Sequence, residues 1–481
     1  MSETEIKADY LVIGSGAMGM AFTDVLVTES KATVVMVDRH DQPGGHWNDA
    51  YPFVRLHSAS AYYGVSSMPL GNDRLDATGL NRGFYERASA AEILGYFDRV
   101  MHSRFLPTGR VKYFPRSEYR DDGRFVSLTA NRERRVTAGK IVDATFTDTV
   151  VPSRHTPTFS IAHGVRCVAP NDLPNASGIG RYVIVGAGKT AIDVCLWLLE
   201  REVPPDRIVW IMPRDSWLLD RTFYEPREAF WWERMSALVE QAELIRAATS
   251  IQHLFQLLDA QGQLLRIDPN VVPTRYRCAT VSQAELAQLR RIRNVVRLGH
   301  VESIERDRIV FAQGEMPTST DSLHIDCTAS GIRSRAPIPV FAGDSITLQT
   351  IRTCQQCFSA ALIGHVELTH AGDESKNALC RPIPLPIRNV DWLTMFAANL
   401  LNQGSWMRNA ELREWIARSR LDLNYGRSTP LTSQENELLQ RLKAGMEPTA
   451  EKLALLLRAT TPDSSAAPAL PGTGFDVAAA T

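Results

Sequence analysis

"YLVIGSGAMGMA", residues 10 to 21, decides the fold. Leu11 to Ile13 read as a strand. Gly14, Gly16 and Gly19 follow at G-x-G-x-x-G spacing and open into a helix that the periodicity carries to about Val27. Each glycine has a mechanical reason to be there. Gly14 permits a tight turn, Gly16 lets backbone approach a pyrophosphate, and Gly19 lets helix and strand pack closely. Through Ser15 and Ala17 the turn would offer free N–H groups at the positive end of the helix dipole, about half a unit charge. The next strand, "ATVVMVD", ends at Asp38, about 20 residues on, where a carboxylate can accept ribose hydroxyls. Arg39 follows at once.

The pattern recurs at residues 182 to 193, "YVIVGAGKTAID", with Gly186, Gly188 and Ala191 as the small residues. The "GKT" is not a phosphate loop of Walker type, because the glycine required five residues before Gly188 is Val183. Lys189 and Thr190 are therefore expected beside a dinucleotide pyrophosphate, or Lys189 in solvent. No carboxylate ends the matching second strand, "RIVWIMPR"; Arg214 stands there, suited to a ribose 2′-phosphate, with Asp215 next to it. Two such elements in one chain imply two dinucleotides, one held throughout turnover and one arriving with hydride.

A chain of 481 residues is too long for one ordinary core, so two or three packed units are expected. With 44% hydrophobic and 22% charged residues and a net charge of −1, the composition favours neither nucleic acid nor a membrane as a partner. Seven scattered cysteines fit reduced thiols in the cytoplasm, and the polar N-terminus has no apolar signal core. Alternation around Asp122-Gly123 predicts a hairpin, closed by "GKIVDATFT", and Arg132 to Arg135 read as a solvated turn. Strands ending Asp-Ala-Thr (143–145) and Asp-Cys-Thr (326–328) suggest one architecture used twice. The expected fold class is α/β: two Rossmann-like dinucleotide-binding domains, one inserted in the other, plus a C-terminal helical region. The boundaries are 1–165, 166–319 for the insert, 320–375 for the return, 376–460 for the helices, and a disordered tail over 461–481.

After Asp38 runs "RHDQPGGHWNDAYPFVRLHSASAYYGVSS", and Gly44, Gly45, Trp47, Tyr51, Pro52, Arg55 and Ser58 match a Gly-Gly-x-Trp…Tyr-Pro…Arg…Ser pattern. Over residues 8 to 370 the chain thus resembles the flavin-dependent monooxygenases of the two-dinucleotide-binding flavoprotein class. These include flavin-containing, Baeyer–Villiger and N-hydroxylating monooxygenases. The resemblance implies FAD at the first turn and NADPH at the second, with Gly45, Trp47 and the loop through Arg55, His57 and Ser58 wrapping the flavin. It also implies that Ala329 and Gly331 mark the crossing between the domains, and that Asp344 and the turn near Gln349 meet the flavin. Two features of the Baeyer–Villiger branch are missing: His57 stands where an Asp is usual, and "SIAHGVRCVAP" replaces its signature after Phe159.

Three function classes follow. A monooxygenase would use molecular oxygen, through a flavin C4a-hydroperoxide, on a small-molecule substrate. A flavin reductase without oxygenation would share every glycine motif, and a non-catalytic binder would need only one intact site. His57 is the catalytic candidate, tuning the flavin or moving a proton, with a packed or surface histidine as the alternative. Cys354-Gln-Gln-Cys357 reads as reduced cysteines in a helix near the flavin in preference to a redox pair. No metal site is expected, since His365 and His370 are spaced to diverge on a helix. The Trp- and Leu-rich stretches "AFWWERMSALVEQAELI" and "DWLTMFAANLLNQGSW" are core, or a substrate pocket or lid. A homo-oligomer is compatible with all of this.

Overall fold

The computed structural model describes residues 5–333 and 335–460. The tail 461–481, read as disordered from its composition, lies outside the described residues. The first sheet is built on strand Ile6–Ile13, whose neighbours Val34–Val37 and Glu133–Asp143 both run parallel to it. Val111–Phe114 adds outside Val34–Val37, and Ser345–Thr347 adds outside Glu133–Asp143. Every residue of Val34–Val37 is buried, as a strand covered on both faces must be. Helix Ala17–Glu29 covers one face and packs on helix Gln356–Thr369, where a Cβ on Gly364 would come within 3.2 Å of the Val25 Cβ. Phe22, Val25, Leu26, Phe358 and Leu362 are fully buried there, each stabilising the fold by about 1.5–3 kcal/mol.

The second sheet repeats the plan. Arg181–Val185 lies between Ile208–Ile211 and Ser322–Asp326, with Asn294–Val296 and Arg166–Val168 at the edges, all parallel. The Asp-x-Thr repeat is structural as well: Asp143 Oδ1 accepts from the Thr145 amide and hydroxyl, both at 2.7 Å, and Asp326 Oδ1 accepts from those of Thr328 at 2.9 and 2.6 Å. Each turn abuts the leading glycine of its unit. Gly14 (φ +98°) sits against Thr145 and Gly186 (φ +129°) against Cys327. The expected hairpin forms between Ser117–Tyr119 and Arg124–Ser127.

Three expectations are corrected. The insert begins by Ser160–Ile161, which pairs with Val301–Ile304, and it keeps Ser322–Asp326, assigned above to the returning domain. Residues 216–281 leave the second sheet: Ser216–Asp220, Leu264–Leu265 and Arg275–Val281 form their own three-stranded sheet. That sheet and helices Trp231–Ala247 and Ile251–Ala260 share a core with the C-terminal helices, so the chain has a third layer made from two distant segments. Glu133 to Arg135 are strand, with Arg134 over the Phe114 ring at 4.9 Å. In the C-terminal region Ser433–Thr460 is a single helix running through Pro448. Thr432 and Glu435 cap it reciprocally, and near the proline the Gly445 carbonyl accepts from Thr449 Oγ1 at 2.6 Å. Of the two tryptophans on helix Trp231–Ala247, Trp231 is core and Trp232 exposed. No helix of the described residues is long and apolar enough to cross a membrane.

Candidate functional site

Both glycine turns end at helix N-termini without side-chain caps and without acidic residues in the first turn. Their amide groups are left for an anion. At the first turn, Gly44 (φ +132°) donates to the Ser15 carbonyl at 3.0 Å, and a Cβ on Gly45 would meet the Gly16 Cα at 2.9 Å. Backbone alone therefore lines that spot. At the second, the space beyond Gly188 is open to 4 Å, and Thr190 is half-buried.

Asp38, the expected ribose acceptor, is held by its own glycine turn. It is 6% exposed, and a carboxylate offers about four acceptor sites. The Ser15 amide and hydroxyl take Oδ2 at 2.5 and 2.8 Å, while the His40 amide and Nδ1 take Oδ1 at 2.8 and 2.9 Å. Asp38 thus braces the glycine turn against its own strand. Burial raises its carboxyl, but the His40 and Ser15 hydrogen bonds outweigh that and hold it below the usual range. Arg39 beside it is exposed.

Lys189 is also redirected. It pairs with Asp193 one helical turn on and donates to the Arg55 carbonyl at 2.7 Å, while the Tyr51 hydroxyl donates to the same Asp193 at 2.6 Å. These contacts bolt the loop of the first unit to the helix of the second. A second bolt lies close by. Glu285 caps its own helix through Ser282, pairs with Arg87 at 2.8 Å, and pairs with the 1% exposed Arg221 at 2.8 Å; Arg221 also donates to Asn81 at 3.2 Å. None of this set was singled out from sequence, although Ser282 and Glu285 carry the spacing of a capping box.

His46, His57, Tyr62, Tyr63, Lys189 and Tyr224 are half-buried, and burial pushes the two imidazoles and the Lys189 amine down and the three tyrosine hydroxyls up. Trp47 donates to the Tyr63 hydroxyl at 2.8 Å. His57 Nδ1 is buried without a partner. Burial first, then the positive charges of Lys189, Arg221 and Arg87, push the His57 imidazole down to about 3. Its ordinary value would have suited a proton carrier; here it stays neutral. We expect no limb of a pH–rate profile between about pH 5 and 9 to belong to His57. A limb in that range that disappears in His57→Asn overturns this. Burial lifts the Glu225 carboxyl to about 7, even though it accepts the Tyr85 amide at 2.9 Å.

Arg214 is exposed and meets His300 Nε2 at 2.8 Å, whereas Asp215 is turned inward and held by Arg297 at 2.8 and 3.0 Å. The acidic neighbour is thus neutralised away from the strand end. Arg214→Ala should weaken a 2′-phosphorylated nicotinamide dinucleotide about 10–100-fold, the worth of a hydrogen bond to a charged group, and leave the unphosphorylated form unchanged. Titration of both reads the ratio; equal losses would remove Arg214 from that role. Ala329 and Gly331 follow the carboxyl end of Ser322–Asp326, beside the second turn. Ser345–Thr347 runs parallel to Glu133–Asp143 with Thr347 opposite Asp143, so Asp344 precedes the amino end of that strand, whereas Gly14 follows the carboxyl end of its own. Cys354 and Cys357 also diverge: Cys354 is exposed ahead of helix Gln356–Thr369, while Cys357 is buried and accepts from the Gly64 amide.

Two parallel α/β units, each opening its first helix at an uncapped glycine turn, define the class of fold. The chain is 51% identical over 460 residues to the uncharacterized protein Rv2000 of Mycobacterium tuberculosis and, equally, to the uncharacterized protein Mb2023 of Mycobacterium bovis, covering 95% of this chain and 86% of each relative. It belongs to their family. No protein-family model matches the sequence. Among solved structures it is similar to a closed form of cyclohexanone monooxygenase (15% identity, 95% of this chain and 99% of that one, TM-score 0.47). It is also similar to the polycyclic ketone monooxygenase of Thermothelomyces thermophila (15% identity, 92% and 89%, TM-score 0.49).

Proposed function

We propose that this chain is an FAD- and NADPH-dependent oxidoreductase, a monooxygenase that transfers one atom of molecular oxygen to a small-molecule substrate. The observation that carries the reading is the pair of uncapped helix N-termini, at Gly16 and Gly188, in two units joined by the Tyr51–Asp193 and Lys189–Arg55 hydrogen bonds. FAD, when bound, would accept hydride from NADPH and activate oxygen.

The chain's own residues bind and position. Gly16, Ala17 and the Gly44-Gly45 loop suit the FAD pyrophosphate, since side chains there would only obstruct it. Gly188 and Thr190 suit that of NADPH, and Arg214 with His300 suits its 2′-phosphate. Trp47, Tyr63, Ser58 and His57 would border the flavin. The Tyr51–Asp193 and Lys189–Arg55 contacts set the separation of the two sites, which hydride transfer requires to be close. His57 can exchange a hydrogen bond through Nδ1 but supplies no imidazolium proton near neutrality.

The test is anaerobic mixing of the FAD-loaded protein with NADPH, followed by air-saturated buffer. Bleaching by NADPH, then a transient species distinct from the oxidised and reduced forms, is the expected result. Bleaching followed by direct reoxidation to hydrogen peroxide would make the chain a reductase. No bleaching at all would overturn the two-cofactor reading.

A further inference from the structure

We propose that His40 is a positioning residue: as an imidazolium it closes a ring of hydrogen bonds around the first glycine turn, and that turn holds its dinucleotide tightly while the ring is closed. The dinucleotide part rests on the flavin reading; the charge on His40 does not.

The ring can be followed atom by atom. Gly44 donates its amide to the Ser15 carbonyl at 3.0 Å, and Ser15 donates its hydroxyl to Asp38 Oδ2 at 2.8 Å. His40 Nδ1 lies 2.9 Å from Asp38 Oδ1, and His40 Nε2 lies 3.0 Å from Asp49 Oδ2. Asp49 ends the short helical turn Gly45–Asp49, which Gly44 opens, so the circuit returns to its start. A neutral imidazole has one N–H and can donate to one of these carboxylates; its other nitrogen would set a lone pair against an oxygen. The imidazolium donates at both ends. The Asp38 hydrogen bond, opposed by burial and joined by the Asp49 hydrogen bond, holds the His40 ring above the usual histidine value.

The ring borders the first anion site. The Gly45 backbone lies so close to Gly16 that a Cβ on Gly45 would stand 2.9 Å from the Gly16 Cα. Any shift of the turn Gly45–Asp49 therefore moves backbone beside the uncapped amides of helix Ala17–Glu29. The far side of Asp49 is anchored elsewhere: its carbonyl accepts from Ser153 Oγ at 2.6 Å and from Asn171 Nδ2 at 3.2 Å. His40 thus spans a strand end and a turn that is tied to the entry of the second unit.

Other charged and titratable groups surround it. Arg154 Nε approaches the same Asp49 Oδ2, but at 3.6 Å. His46, on the same turn, is pushed down to about 4 by burial and then by the charge of His40, so it stays neutral. The Tyr113 hydroxyl, 3.3 Å from Ser15 Oγ, is kept protonated by burial. Arg116 meets His40 through its backbone, donating its amide to the His40 carbonyl at 2.8 Å, and Arg39 and Asp41 are exposed. None of these side chains stands between the two carboxylates in place of the imidazolium. Since the His40 value is raised, the bridge is complete below about pH 6.5 and is lost as pH climbs through the raised midpoint.

The ligand-free full chain, labelled with carbon-13 histidine, is titrated by NMR, and His40→Gln assigns the signal. A midpoint above about 6.5 is expected; one at or below that value overturns the proposal. The Kd for FAD is then measured from about pH 6 to 9. It should rise about tenfold, the worth of one hydrogen bond to a charged group. Reciprocity then requires FAD to raise the His40 midpoint by about one pH unit. His40→Gln should bind FAD about tenfold more weakly at pH 6 and without pH dependence. His40→Arg, a cation at every pH, should recover much of that affinity and be equally flat. The unfolding midpoint of His40→Gln should match that of the unchanged chain at pH 9, where the bridge is open in both. A Kd that does not change with pH, or a pH dependence that persists in His40→Gln, overturns the proposal. If His40 titrates high in the ligand-free chain but FAD binds at no pH, the charged bridge stands and the flavin reading is what fails.

Discussion

Replacing Gly188 with leucine should leave a folded protein that still takes up FAD but that NADPH reduces at least ~100-fold less readily, the loss expected when about two hydrogen bonds to a charged group are removed. The residue is exposed, its φ of −88° suits any side chain, and no heavy atom lies within 4 Å of where a Cβ would stand. The substitution therefore costs little in folding. Its bulk would stand before the uncapped amides of helix Lys189–Glu200, where the pyrophosphate is expected. The control is Gly186→Leu: with φ +129° and a Cβ only 2.8 Å from the Cys327 carbonyl oxygen, it should fail to fold. Stopped-flow reduction at several NADPH concentrations decides the matter. An unchanged rate would remove the second turn from nicotinamide binding.

The second large effect concerns an arginine from the C-terminal region. Arg420, 7% exposed, donates to the carbonyls of Val65 at 2.8 Å, Met68 at 3.1 Å and Ala61 at 2.6 Å, and also to that of Tyr63. It thereby holds the loop that continues from His57. Ala61 keeps a second donor in Arg227 and Met68 keeps one in Tyr96, so Arg420→Met orphans mainly the Val65 and Tyr63 carbonyls. At about 1–3 kcal/mol for each unsatisfied buried group, the expected loss is about 2–6 kcal/mol. Chemical denaturation measures it, and Arg420→Lys should recover part. A loss below about 0.5 kcal/mol, the range of an inert surface change, would show the loop to be held by other contacts.

The parts of the fold written in short-range chemistry were legible. Gly14 and Gly186 announce their positive φ by being glycine, and the alternation about Asp122-Gly123 gives the hairpin directly. The Asp-x-Thr repeat carried more than expected, since the same side-chain turn recurs in both units. Direction was not legible: Asp344 was read without knowing that it precedes the amino end of the strand that pairs beside Asp143. Neither was partner choice. A single sequence leaves Asp38 free for a ribose, whereas His40 and Ser15 occupy all its acceptor sites. Contacts between remote segments were invisible. Nothing local pairs Arg221 with Glu285, or joins residues 216–281 to the C-terminal helices, because amphipathic helices seek apolar surface without specifying whose.

The reach of Arg420 to Ala61, 359 residues back along the chain, bears on the order in which the molecule is made. Strand Ser345–Thr347 closes the first sheet late in synthesis, and the arginine clamp emerges later still. The glycine turn near the amino terminus is among the earliest segments to leave the ribosome, yet the Tyr63 and Val65 carbonyls of the loop after His57 wait for their donor until nearly the whole polypeptide exists. Final shaping of that loop would accordingly be one of the last events of biogenesis, and chains ending before residue 420 would be released with those two carbonyls unpaired.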